Sequence, residues 1–219
     1  MQIAILIFDR LTALDAVGPY EVLSRLPGAE LDFVAAKPGS KRTDTDRLAL
    51  DAGRSIAEVP SPDVLLVPGG EGNRPLLSDE PVLSWVRSAH ESSRYTTSVC
   101  TGSLVLGAAG ILDGLRATSH WAYLGHLEPF GAIPVAERVV EDGKVITAAG
   151  VSSGIDMALL LAAKLAGEEV AKAIQLGIEY DPEPPFDSGS PDSAPEHIVD
   201  AVRKLEGVSE LPTPEREAS

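Results

Sequence analysis

Tyr95-Thr96-Thr97-Ser98-Val99-Cys100-Thr101-Gly102-Ser103-Leu104-Val105-Leu106-Gly107 joins a β-rich run to a helical pattern, with a single cysteine at the junction. The β-branched residues end at Val99, and small residues followed by Leu104, Val105 and Leu106 open the helix. A thiol at such a turn sits against backbone N–H groups and the positive end of a helix, and both favour thiolate over thiol. Residue type alone leaves Cys100 as a small buried hydrophobe. Its position makes it the leading candidate for a nucleophile.

Working outward, Ile3 to Phe8 is a continuous apolar run, expected of a strand covered on both faces of a parallel sheet. A loop through Thr12 and Asp15 follows, then a helix from about Val17 to Leu26. Leu31 to Ala36 reads as a strand, Lys37 to Asp46 as a polar loop, and Asp63 to Val67 as a buried strand stopped by Pro68-Gly69-Gly70. Glu80 to Ser93 is a helix with Val82, Leu83 and Val86 inward, and Tyr95 to Val99 the strand before the cysteine. Asp142-Gly143 between apolar runs predicts a hairpin over Val139 to Thr147. Ser152 to Leu165 and Glu168 to Ile178 read as helices. This alternation predicts an α/β fold with a mainly parallel central sheet, in which ligands bind at the carboxyl ends of strands.

Asp181-Pro182-Glu183-Pro184-Pro185-Phe186 fits neither a central strand nor a helix interior. A last helix is expected from about Ser193 to Leu205. The expected organisation is one domain over 1–205 and a loose tail over 206–219.

The 219 residues carry 33 acidic and 18 basic side chains, a formal net charge of -15 that repels phosphate backbones and argues against nucleic acid as a partner. One cysteine excludes an intramolecular disulfide and any multi-cysteine zinc site. The amino-terminal run has no basic leader and is too short to span a bilayer, so no membrane is expected and the expected compartment is the cytoplasm.

Three strand ends supply polar or glycine-rich groups: the Asp15 loop, the Gly69-Gly70 turn and Cys100-Thr101. Asp15 reads either as the N-cap of the following helix or as an acid beside the thiol. Gly69 and Gly70 make a tight turn, or their amides donate to negative charge developing near the thiolate. Thr101 starts the helix or orients the nucleophile or a water. His120, beside Trp121, is a base or a hydrogen-bonded structural histidine. His90, His126 and His197 read as surface residues, and no spacing resembles a metal site.

Six segments taken in order resemble the DJ-1/PfpI superfamily and, within it, the isonitrile (isocyanide) hydratase branch. They are Phe8 to Pro19, Val67-Pro68-Gly69-Gly70, Ser98 to Ser103, Ala117-Thr118-Ser119-His120-Trp121, Ala149 to Asp156, and Glu179 to Phe186. The resemblance spans about residues 2 to 186. It implies a flavodoxin-like three-layer sandwich, related to class I glutamine amidotransferases, that pairs as a homodimer.

Carried over residue by residue, the resemblance implies Cys100 as nucleophile, Asp15 as the acid contacting it, Thr101 as the threonine following it and Gly70 as a nearby backbone donor. Gly69 and His120 join the substrate-binding set. Val151 takes a small apolar position opening the helix near the site, a packing role. Protease-like members carry His directly after the nucleophile, and Thr101 in its place counts against peptidase activity. The implied reaction is that of a hydro-lyase. Cys100 adds to an isocyanide carbon to give a thioimidate, Asp15 moves the proton, and water releases an N-substituted formamide. It requires neither an organic cofactor nor a metal. Asp15 is expected to be protonated while Cys100 is charged. The alternatives are a methylglyoxal hydratase (glyoxalase) or deglycase on the same cysteine, and a redox-responsive or chaperone-like protein in which Cys100 oxidises. A third, the ligand-sensing half of a transcription regulator, is opposed by the charge and by the prolines after Glu179.

Overall fold

The amino-terminal apolar run forms β1 (Gln2–Leu6), whose Ile3, Ala4, Ile5 and Leu6 are all buried. A strand apolar on both faces needs a covering layer on each side, and both layers are present. The computed structural model describes residues 1–206. After β1 come α1 (Ala13–Leu23), β2 (Glu30–Ala35), β3 (Gly39–Arg42), β4 (Ala49–Ala52), β5 (Arg54–Ser55) and β6 (Val64–Val67). Next are α2 (Glu80–Ser92), β7 (Tyr95–Val99), α3 (Gly102–Ala108), β8 (Arg116–Ala117), β9 (Ile133–Pro134), β10 (Val139–Asp142) and β11 (Val145–Ala148). Three helices close the chain: α4 (Ser153–Ala166), α5 (Glu168–Gly177) and α6 (Glu196–Glu206).

Seven strands form one sheet in the order β10-β11-β7-β6-β1-β2-β5, parallel throughout except for the β10–β11 hairpin at one edge. Register aligns Ile5 with Leu66, Leu66 with Thr97, and Thr97 with Ile146 across the centre. α1 packs on α4 and α4 on α5, while α2 and α3 cover β6 and β7. The result is the α/β sandwich with a mainly parallel sheet that the alternation predicted. Every residue of β6 is fully buried, and side chains of this kind contribute roughly 1.5–3 kcal/mol each. β7 buries hydroxyls as well, and Thr97 Oγ1 satisfies itself on Leu65 O at 3.0 Å.

Chain order positions the site. From β1 the chain runs to β2 on one side, whereas β6 lies on the other. Connections therefore diverge above the carboxyl ends of β1 and β6, the place where open α/β sheets leave a crevice.

Several sequence expectations need correction. α1 starts at Ala13, four residues before the expected Val17, so Asp15 lies inside its first turn; the N-cap is Thr12. The expected loop over Lys37 to Asp46 contains β3, paired antiparallel with β4. His90 is half-buried, not a surface residue: its Nδ1 meets Thr96 Oγ1 at 2.9 Å, and burial beside Lys144 holds its pKa below the ordinary imidazole value. His126 is half-buried too, its ring 5.8 Å from that of Tyr123. The last helix begins at Glu196. Of the tail expected over 206–219, Glu206 ends α6 and residues 207–219 lie outside the described residues.

Candidate active site

Cys100 directly follows β7 and has φ +57°, left-handed backbone that costs a non-glycine residue on the order of 1–2 kcal/mol. Hydrogen bonds hold it there. Its N–H donates to Ala148 O at 3.0 Å and Ala149 O at 2.8 Å, while its carbonyl accepts from Ser103 Oγ and Ser119 Oγ, both at 3.1 Å. The side chain that this strained elbow presents is 6 % exposed and borders a cavity of about 280 Å³.

Asp15 reaches the same place from the first turn of α1. Its carboxyl is fully buried; Oδ2 accepts from Gly69 N–H at 2.9 Å, and Oδ1 has no donor of good geometry. Burial pushes the Asp15 pKa up from 3.8 to about 7. The Gly69 N–H and the Cys100 side chain, with which the carboxyl interacts, pull it part of the way back, and the charge of Asp44 adds to the upward push. A carboxyl that keeps a substantial protonated fraction at neutral pH beside a thiol can donate a proton where an ionised one could not.

The loops after β1 and β6 are tied together. Thr12 N–H donates to Gly69 O at 2.9 Å and Gly72 N–H to Arg10 O at 3.1 Å. Gly70 lies at φ +127°, where a Cβ would fall 2.5 Å from Thr12 N, so only glycine lets these loops approach. The amides of this turn have partners of their own. Gly69 N–H is committed to Asp15, and Gly70 N–H donates to Thr101 Oγ1 at 3.1 Å. In the structure both amides thus tie the turn to Asp15 and Thr101. Thr101 precedes α3 without capping it through its side chain; its hydroxyl takes the Gly70 amide, and its carbonyl accepts from Asn73 Nδ2 at 2.8 Å.

Of the residues singled out from sequence, Cys100, Thr101, Gly70, His120 and Val151 border the cavity, while Asp15 and Gly69 lie beneath it. His120 is both wall and cap: its Nδ1 accepts from Ala122 N at the head of the 3-10 segment Trp121–Phe130. His120 and Val151 also border a second cavity of about 420 Å³, lined as well by Trp121 and residues 189–192. Sequence reading missed Asp44, Thr45, Asn73, Arg74 and Tyr123 on the catalytic side. Asn73 and Arg74 follow the Gly69-Gly70 turn within four residues of it, a signal that was available. Asp44 sits in the unforeseen β3–β4 turn. Among the described residues, no three His, Cys, Asp or Glu side chains are grouped to hold a metal ion.

A parallel α/β sandwich with a cysteine at a strained strand–helix elbow, backed by a buried acid, defines the class. The chain belongs to the DJ-1/PfpI family, whose pattern matches residues 1–164. It is similar to the isonitrile hydratase of Pseudomonas putida, with 50% identity over 204 residues, 93% of this chain and 89% of that one. The crystal structure of a ThiJ/PfpI family protein from Pseudomonas syringae superposes with a TM-score of 0.92 at 40% identity, covering 96% of this chain and 86% of that one. A helix-turn-helix transcriptional regulator of Pseudomonas aeruginosa is 28% identical over 79% of this chain, which spans 49% of the regulator.

Proposed function

We propose that the protein hydrates isocyanides to N-substituted formamides, with Cys100 as nucleophile and Asp15 as proton carrier. The observation that carries this reading is the buried Asp15 carboxyl, pKa about 7, interacting with a cysteine that opens onto a cavity. The likeness to an isonitrile hydratase over nearly the whole length of both chains supports the choice of substrate.

The Cys100 thiolate attacks the terminal isocyanide carbon, which takes the Asp15 proton as the C–S bond forms, giving a thioimidate and an Asp15 carboxylate. Water then adds to the same carbon, one of its protons passing to nitrogen and the other, in the end, back to Asp15. The C–S bond breaks, the thiolate is restored, and the product is the formamide. One isocyanide and one water are consumed, with no change of oxidation state overall.

Formamide production from an alkyl and an aryl isocyanide, followed by mass spectrometry, tests the reading. Wild type is expected to turn over at least one of them. Cys100→Ala is expected to lose on the order of 10⁴-fold or more in kcat with an unchanged circular dichroism spectrum. A folded wild type that yields no formamide sinks the reading and moves methylglyoxal to the front. Activity retained by Cys100→Ala sinks the thiolate mechanism.

A further inference from the structure

Arg74 borders the same cavity as Cys100 and is half-buried. Its backbone is spent on local turns, N–H to Glu71 O at 3.4 Å and carbonyl to Leu77 N at 3.3 Å. Its guanidinium has no ion-pair or hydrogen-bond partner among the described residues. In a chain with 33 acidic against 18 basic side chains, an arginine finds a carboxylate readily, and most do. Arg47 and Arg94, the other described arginines without an ion pair, are exposed.

The acids at the cavity do not compensate Arg74. Glu71 is paired with Arg10. Asp44 Oδ2 accepts from Thr12 Oγ1 at 2.9 Å and Oδ1 from Thr45 N–H at 2.7 Å, so both its oxygens are engaged. Arg74 thus brings to the cavity lining a planar cation with five donors and, among the described residues, no acceptor for it. A guanidinium matches a carboxylate with two parallel N–H···O bonds. The carboxylates of Asp44 and Glu71 at the same cavity disfavour a dianion such as a phosphate monoester, and its volume of about 280 Å³ limits the ligand to a small molecule.

We propose that the catalytic cavity takes a small isocyanide bearing a carboxylate, with Arg74 binding that carboxylate while the isocyano carbon faces Cys100. This rests on the hydratase reading and specifies its substrate class. The product is an N-formyl amino carboxylate.

The test compares isocyanoacetate with its methyl ester, measuring kcat/KM by formamide release for wild type, Arg74→Gln and Arg74→Lys. Wild type is expected to prefer the acid by about tenfold or more, mainly through KM, and the preference is expected to shrink with added salt. Arg74→Gln is expected to abolish the acid-to-ester preference, and Arg74→Lys to keep part of it. An ester handled as well as the acid by wild type, or a preference that survives Arg74→Gln, overturns the carboxylate subsite and leaves the hydratase reading standing. Turnover of neither compound by a wild type that hydrates the alkyl or aryl isocyanide also overturns the subsite, whereas a folded wild type that hydrates no isocyanide removes the hydratase reading with it. The wild-type comparison decides the question even if a variant folds poorly.

Discussion

The floor and the rim of the cavity are built on opposite principles. On the floor, the Cys100 and Gly69 amides, the Gly70 amide and the Cys100 carbonyl all have protein partners, and Asp15 and Thr101 are buried. The rim is half-exposed and charged: Asp44, Glu71 and Arg74 come from the β3–β4 turn and the stretch after β6. Among the described residues, Arg74 alone of those three has no side-chain partner. The contrast teaches that rigidity and selectivity are placed apart. The floor can hold a strained cysteine because its hydrogen bonds over-determine that geometry, and the rim can change charge without disturbing it.

The largest expected break of this division is Asp15→Asn. Asparagine keeps the shape but cannot carry the proton, so kcat should fall by about 10²–10⁴ with the fold intact. Stability should respond in the opposite sense. The Asp15 pKa is raised from 3.8 to about 7, so between those values the folded protein holds a proton that the unfolded chain has released. This contribution is fully favourable below about pH 4 and is lost as pH rises through about 7, a change on the order of 4 kcal/mol. Denaturant unfolding at pH 5 and pH 8 should show wild type losing stability relative to Asp15→Asn as pH rises. A constant difference would mean that Asp15 is ionised throughout, and the floor would then have no proton to give.

Thr101→Val probes the floor by shape rather than charge. Valine nearly matches threonine in volume but offers no acceptor, so the Gly70 N–H loses its partner at 3.1 Å. An orphaned amide of this kind costs about 1–3 kcal/mol, expected as a fall in Tm of roughly 2–10 °C. An unchanged Tm would show that the Gly70 turn is held by the tie between Thr12 and Gly69 alone.

The same contrast explains what the sequence revealed. The elbow was legible because the β-branched run before Cys100 gives way after it to small residues and the apolar stretch Leu104 to Leu106, and buried parallel strands write themselves as apolar runs. The acid was legible as a candidate but not in its setting. The helix was expected from about Val17, yet α1 starts at Ala13 and takes Asp15 into its first turn, with Gly18 tucked against Ile155 of α4 where a larger side chain would crowd. The rim was not legible. β3 and β4 are largely exposed and carry no apolar alternation, so nothing in Lys37 to Asp46 announced a hairpin or placed Asp44 over the site. Nor does a sequence reveal that Gly69 and Gly70 spend their amides on Asp15 and Thr101; that depends on contacts 54 and 31 residues away.

The smallest expected effect joins the two regions. Asp44 belongs to the rim, but its charge helps to raise the Asp15 pKa from above. Its own anchors are Thr12 Oγ1 on Oδ2 and the Thr45 amide on Oδ1; an asparagine can still accept from the Thr45 amide through its oxygen and donate to Thr12 Oγ1 through its NH2 group. Asp44→Asn should therefore leave the fold unchanged and let Asp15 ionise at lower pH. If Asp15 supplies its proton in the rate-limiting step, the alkaline fall of kcat should shift to lower pH in this variant, while the plateau at acid pH stays the same. A shift in the opposite direction would mean that a group other than Asp15 controls that limb. A lowered plateau with no shift would mean that Asp44 acts on bound substrate rather than on the buried acid.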